Sequence, residues 1–298
     1  MITTELVEWF NARWFGQMGA IDGQDVAFIA DLIAQTRPQT VVEIGCASGV
    51  STCVLAHLMS QNGPGDVFSF DLMENYYVDP TKKVGYMIDE APSHLGVSIA
   101  VHRGKTCLDV GAHLDRQIDL CFIDAAHKHP WPLIDTLGVL PLMKPGGLII
   151  HHDLQMYRST YANTYATGPR HVYDQAPPNS RIDAAKDIQD HGLSLLKSRA
   201  VDKNIFALRV PETKRAYAAR LCEGFYFGWD PQEFRLVPLD FAARFKDHIG
   251  ANYGPWVSQA FDEGMRRYSP PPEADVKPQP VPEPPSLAQR VRRKVLGR

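Results

Sequence analysis

The 298-residue sequence lacks several features that would place it in a class at once. No apolar run approaches the ~18 residues needed to span a bilayer. Five cysteines are present (Cys46, Cys53, Cys107, Cys121 and Cys222), and none forms a C-x-x-C pair. Several sit in apolar strand or helix patterns, as buried free thiols do, which fits a reducing cytosol better than a disulfide framework. Neither sign of charge dominates. The net charge of −3 gives no overall pull toward nucleic acid, and there is no basic stripe. The N-terminal MITTELVEWF carries acid in place of a basic leader region and has no long apolar core. No signal peptide is expected, and a cytoplasmic location is. What remains is a 44% hydrophobic chain, long enough for one large α/β domain with additions or for two small domains.

The most informative stretch is VVEIGCASGVST, Val41 to Thr52. An apolar run holding one acid, Glu43, breaks into a turn with Gly45 and Gly49, and helix-like LAHLM follows. Glycine lets a ligand approach the backbone and tolerates φ > 0. The spacing is G-x-x-x-G, not the G-x-G-x-x-G of dinucleotide sites.

Around this turn the apolar periodicity predicts helices over residues 3–17 and 22–36, the second ending at Arg37-Pro38. Strands are expected at Val41–Ile44, at VFSFD ending on Asp71, at VSIAVHRG, at DLCFID ending on Asp124, and at LIIHHD after a KPGG turn. Helices are expected from about Ser51 to Ser60, within 72–94, near 105–115 and over 131–143. The alternation of strand and helix, with nearly continuous apolar strands, predicts a mostly parallel sheet covered on both faces. Ligands then sit at the carboxyl ends of the strands. Gly45, Gly49, Asp71, Asp124 and Asp153 all fall there. LSLLKS and NIFALRV suggest a final antiparallel hairpin. Residues 212–266 read as helical and aromatic-rich, suited to a cap or dimer contact. The segment 157–175 suits a substrate-facing lid, with Arg170 and His171 as candidate contacts for an anionic or sugar substrate.

Asp71 closes its strand about twenty residues after the glycine turn. A carboxylate there can accept hydrogen bonds from both ribose hydroxyls of an adenosine ligand, or cap a helix. Ser51 and Thr52 open a helix whose N-terminus favours a carboxylate and which their hydroxyls can also cap.

EIGCASGVST, FSFD, FIDAAH and KPGGLIIHHD, in that order and spacing over roughly residues 20–155, resemble the class I S-adenosylmethionine (SAM) methyltransferases. The resemblance is to their metal-dependent O-methyltransferase branch, which includes macrolide-sugar, cephalosporin-hydroxylase-like and catechol-type proteins. It implies a Rossmann-like, doubly wound, mostly parallel seven-stranded sheet with N-terminal helices and a helical C-terminal extension. It implies a SAM site involving Glu43, Gly45, Gly49, Ser51 and Asp71. It also implies a divalent metal, usually Mg²⁺, and methyl transfer to a hydroxyl of a small molecule or sugar. Asp124 falls on the first metal-ligand aspartate and Asp153 on the acid after the fifth strand. His152 stands where Glu or His is common, and Leu154 cannot ligate. The third ligand is thus His152, a water or the substrate. Mixed imidazole and carboxylate donors suit Mn²⁺, Fe²⁺ or Zn²⁺ better than Mg²⁺. His127, in D-x-x-H spacing from Asp124, falls on the family's general base; the bland alternative is a solvated loop histidine. By strand alternation His151 points away from His152.

The expected organisation is a SAM-binding methyltransferase domain over 1–210, a helical extension over 211–268, a proline-rich linker over 269–285 and a basic tail over 286–298. That tail, LAQRVRRKVLGR, is either solvated or makes weak contact with an anionic membrane surface or partner. A homodimer through the aromatic-rich segment is compatible with the pattern. Two other functions compete: a non-catalytic SAM-binding protein of the same fold, and a nicotinamide-dependent oxidoreductase, against which the turn spacing counts.

Overall fold

The computed structural model describes residues 1–13, 21–158, 166–185, 188–195, 204–229 and 237–268. The expected proline-rich linker and basic tail lie outside these residues, as does part of the expected lid.

Helix α1 (Thr4–Arg13) packs Leu6, Trp9 and Phe10 inward. Helix α2 (Gly23–Thr36) starts at a capping box. The Asp22 side chain accepts from the Gln24 and Asp25 amides, and Asp25 Oδ2 accepts from the Asp22 amide at 2.9 Å. Reciprocal capping of this kind satisfies amide donors that the helix cannot. The helix ends with Arg37 in the left-handed region (φ 47°) before Pro38.

The chain then alternates. Strand β1 (Thr40–Ile44) leads through the glycine turn to α3 (Val50–Ser60), and β2 (Gly65–Asp71) follows. Next come β3 (Val97–Arg103), β4 (Ile118–Ile123), α4 (Trp131–Val139) and β5 (Met143–His151). Helix α5 (Gly168–Gln175) precedes two short strands, β6 (Arg181–Asp183) and β7 (Phe206–Arg209). Helices α6 (Lys214–Leu221), α7 (Phe241–Tyr253) and α8 (Pro255–Tyr268) complete the described chain.

The seven strands form one sheet in the order β3-β2-β1-β4-β5-β7-β6. The first five are parallel, β7 runs antiparallel to β5, and β6 runs antiparallel to β7. The order reverses between β1 and β4, which opens a crevice at their carboxyl ends.

Successive side chains on a strand face opposite sides, and here they divide the core in two. Val41, Leu120, Phe122, Leu148 and Ile150 pack with α1, α2 and α3. Val42, Ile44, Cys121, Ile123 and Ile149 pack with α4 and the C-terminal helices.

Several sequence expectations change. KPGG is not a turn before β5: the strand begins at Met143 and absorbs it, with a register irregularity between Ile118 and Leu120. The 72–94 segment holds only a short 3-10 turn, Ile88–Glu90, and the 105–115 helix is also 3-10, Cys107–Ala112. The partner of β7 is Arg181–Asp183, and the described part of LSLLKS, Leu193 to Leu195, is not strand. The aromatic-rich C-terminal helices pack into the sheet's own core through Phe225, Phe241, Phe245 and Phe261, rather than standing apart as a cap. No helix among the described residues is long and apolar enough to cross a membrane.

Candidate active site

The parallel ladder continues one residue beyond the strand ends. Gly45 N donates to Phe70 O at 2.8 Å, Asp124 N to Ile44 O at 2.9 Å, and His152 N to Ile123 O at 3.2 Å. Three adjacent strands therefore deliver Gly45, Asp124 and His152 to one level of one edge.

Gly45 (φ 99°) and Gly49 (φ 94°) occupy the left-handed region. A Cβ on Gly45 would collide with the carbonyl of Asp124 and come within 2.8 Å of Ala125 Cα, so the turn lies flat against the end of β4. Two supports hold it. Asp71 Oδ2 accepts from the amides of Cys46 (3.1 Å) and Ala47 (2.9 Å), while its Oδ1 accepts from Met73 N (2.8 Å). Beneath, Glu43 is fully buried and accepts from Ser51, Thr52 and Ser69 hydroxyls, each at 2.5 Å. Burial pushes the Glu43 carboxyl up to about 7, against the pull of those hydroxyls. Glu43 and the Ser51 hydroxyl thus fasten β1, β2 and α3 below the turn and do not line the cavity above it.

Above the turn lies a cavity of about 330 Å³. Gly45, Ala47 and Asp71 form one wall, and Asp124, Ala125 and Ala126 another. Phe70, Trp131 and Val237 make it apolar, and Lys105 and Tyr77 stand at its rim. Burial, followed by the negative charges of Asp124, Asp153 and Asp71, raises the pKa of the Tyr77 phenol.

Asp124 also belongs to a second cluster beside the cavity. Donor atoms of Asp124, His152 and Asp153 all lie within 4.8 Å of one another. His152 Nδ1 is 3.1 Å from Asp124 Oδ1 and 3.5 Å from Asp153 Oδ2. His127 Nε2 is 3.2 Å from the same Asp153 oxygen. Asp153 takes φ 58°, uncommon for a residue with a side chain and frequent where a site needs it. Burial disfavours its charge, but His152 and His127 outweigh burial and hold the carboxyl well below the usual range. Burial also opposes the charge on His152, yet Asp124, Asp153 and Asp25 raise its pKa well above the ordinary value.

The cluster fits a divalent cation. Asp153 Oδ2 is buried and accepts no hydrogen bond, although two imidazole nitrogens face it. Its other oxygen accepts from Asn204 Nδ2 at 2.7 Å, which leaves Oδ2 as the one directed inward. Donors on neighbouring positions of one six-coordinate ion stand about 3 Å apart, close to the separations here.

Strand parity explains the two histidines. His152 falls on the side of Ile150 and meets α2, whereas His151 falls on the other side. There His151 stacks on Phe206 (5.2 Å), lies 3.0 Å from Thr136 Oγ1, and is driven by burial to about 3. His129 is buried against the Gly224 carbonyl at 2.8 Å. Arg170 pairs with Asp174 at 2.7 Å and His171 stacks on Phe227 at 4.5 Å, so neither lines the cavity as the lid reading expected. Tyr77, Lys105, Asp25 and Asn204 enter the site without any motif to announce them. A first-turn helix acid and an asparagine before a short strand carry no local mark of distant partners.

Residues 42–154 match the family model described as a methyltransferase domain. A comparison with curated proteins finds no match. Among solved structures, the Bacillus cereus O-methyltransferase in complex with SAH is 18% identical, with a TM-score of 0.49, covering 70% of this chain and 92% of that one. TomG, the Streptomyces achromogenes O-methyltransferase involved in tomaymycin synthesis, was solved with SAM. It is 17% identical, with a TM-score of 0.47, over 70% of this chain and 91% of its own. A SAM-dependent O-methyltransferase from Thermotoga maritima is 14% identical, with a TM-score of 0.44, over 71% and 72%.

Proposed function

We propose that this protein transfers the methyl group of SAM to a hydroxyl oxygen of a small molecule or sugar, with a divalent cation assisting at the acceptor. The observation that carries this reading is the cluster of Asp124, His152, Asp153 and His127, whose Asp124 also lines the cavity above the glycine turn.

SAM supplies a methyl already activated on a sulfonium. In this reading Gly45 and Ala47 of the turn line the space for it, Gly49 packs on Gly85 and Ile88 and keeps the turn in shape, and Asp71, which already holds that turn, accepts from its ribose. Glu43 and Ser51 act from below by keeping the turn in shape. The apolar wall of Phe70, Trp131 and Val237 excludes water, and in-line alignment then supplies most of the rate. A divalent cation held by Asp124, His152 and Asp153 would lower the pKa of a coordinated hydroxyl. His127 Nε2, at the border of that cluster, accepts the proton the hydroxyl gives up. The imidazole donor favours Mn²⁺, Fe²⁺ or Zn²⁺ over Mg²⁺.

The test is calorimetric titration of SAM with and without Mn²⁺ or Mg²⁺, followed by methyl transfer to a panel of hydroxylated acceptors. Asp124→Asn is expected to lower turnover at least a hundredfold while SAM affinity stays within a few-fold. Full turnover in that variant would remove the cation role. SAM binding without transfer to any acceptor would favour a non-catalytic binding protein. No SAM binding would end the reading.

A further inference from the structure

His152 has two ring nitrogens, and only one faces the carboxylates at the strand ends. Nδ1 looks toward Asp124 Oδ1 (3.1 Å) and Asp153 Oδ2 (3.5 Å). Nε2 looks the other way, to Asp25 Oδ2 at 2.9 Å. Asp25 is 1% exposed, and the His152 side chain is fully buried. The same Asp25 oxygen accepts the Asp22 amide in the capping box of α2. A capping acid normally sits at the solvent edge of its helix. This one is carried under the sheet, onto the imidazole that strand parity directs at α2.

We propose that Asp25 is a positioning residue of the cation site, fixing the His152 ring so that Nε2 carries its proton toward α2 and Nδ1 is presented to the cation. The proposal rests on the cation reading above. A carboxylate on the far nitrogen of a ligating imidazole fixes the tautomer, holds the ring plane and makes the near nitrogen a stronger donor. Asp25 lies outside the segment that matches the family model, residues 42–154. The N-terminal helix pair is thereby part of the site and not only a cover for the sheet.

The experiment titrates Mn²⁺ into the full chain and into Asp25→Asn, with SAM affinity and metal-free melting temperature measured on both. Asparagine keeps an oxygen for the Asp22 amide, so the helix cap survives, while the negative charge that faces His152 Nε2 is removed. Mn²⁺ affinity is expected to fall 10–100-fold in the variant, with SAM affinity unchanged. Mn²⁺ affinity within twofold of wild type would overturn the proposal and leave the cation reading standing. Failure of the wild-type chain to bind any divalent cation would overturn both. A second measurement needs no variant. Nitrogen-15 spectra of the Zn²⁺-loaded wild-type protein are expected to place the metal on Nδ1 of His152 and the proton on Nε2. The reverse assignment would overturn the proposal.

Discussion

At the scale of single residues, the glycine turn and the acid beneath it make sharp predictions. Gly45 sits at φ 99° with the Asp124 carbonyl where its Cβ would be. Gly45→Ala is expected to cost about 1–3 kcal/mol from the backbone alone and to weaken SAM binding more than tenfold; denaturant unfolding and calorimetry check both. Glu43 titrates near 7 when folded and near 4.5 in an unfolded chain. The folded protein therefore holds this proton more tightly. Its contribution to stability is complete below about 4.5 and is lost as pH rises to about 7, a change on the order of 3 kcal/mol. Glu43→Gln is expected to flatten the stability profile across that window, and an unaltered slope would show that Glu43 is not the group responsible.

At the scale of elements, what was legible depended on whether a segment's environment is local. Strand β1, most of β4 and the LIIH half of β5 are buried on both faces, and with the partly buried β2 they announce themselves as apolar runs. Helix α2 is marked by its own capping box. The sequence misleads where neighbours decide. Pro145-Gly146-Gly147 reads as a turn, but Gly146 N donates to Val210 O at 2.8 Å and Val210 N to Gly147 O at 2.9 Å, which keeps it in the strand. Arg181–Asp183 is too short and polar to read as strand, and only β7 makes it one. Asp71, Asp124, His152 and Asp153 were visible because each follows an apolar run. Glu43 was visible as an acid in a strand but not as a buried fastener. Asp25 was hidden because its partner lies 127 residues away.

The C-terminal helices belong to the same scale. Phe245 is fully buried, edge-on to Phe261 at 5.0 Å, and Tyr253 donates to the Leu137 carbonyl at 2.8 Å. Phe245→Ala is expected to lower stability by ~3–5 kcal/mol. Truncating the exposed Tyr226 should stay within ~0.5 kcal/mol. Urea unfolding of the two variants separates these cases, and equal effects would deny the C-terminal helices a share in the main core.

At the scale of the whole molecule, Asp124, His152 and Asp153 with their supports Asp25 and Asn204 join four parts of the chain: α2, the ends of β4 and β5, and the segment just before β7. If the proposed cation binds there, it is expected to stabilise the fold globally. With free Mn²⁺ at a hundred times its dissociation constant, the gain is expected to be ~2.7 kcal/mol. The melting temperature should rise in a single cooperative transition and fall back on chelation. A shift confined to one of two separate transitions would mean that the N-terminal helices and the sheet unfold independently.

Asn204, which holds the outer oxygen of Asp153, adds an order in time. As the chain leaves the ribosome, the glycine turn and Asp71 emerge early and Asp124 and Asp153 midway. The residue that holds Asp153 in place emerges only when position 204 is out. A chain cut short after β5 would lack both Asn204, which holds Asp153, and Val237 of the cavity wall, so on the proposed reading neither half of the site is complete until the C-terminal helices are out. If the proposed cation binds, its choice then falls to the nearly finished protein, with the ligands already held in place, rather than to loose acids on an emerging chain.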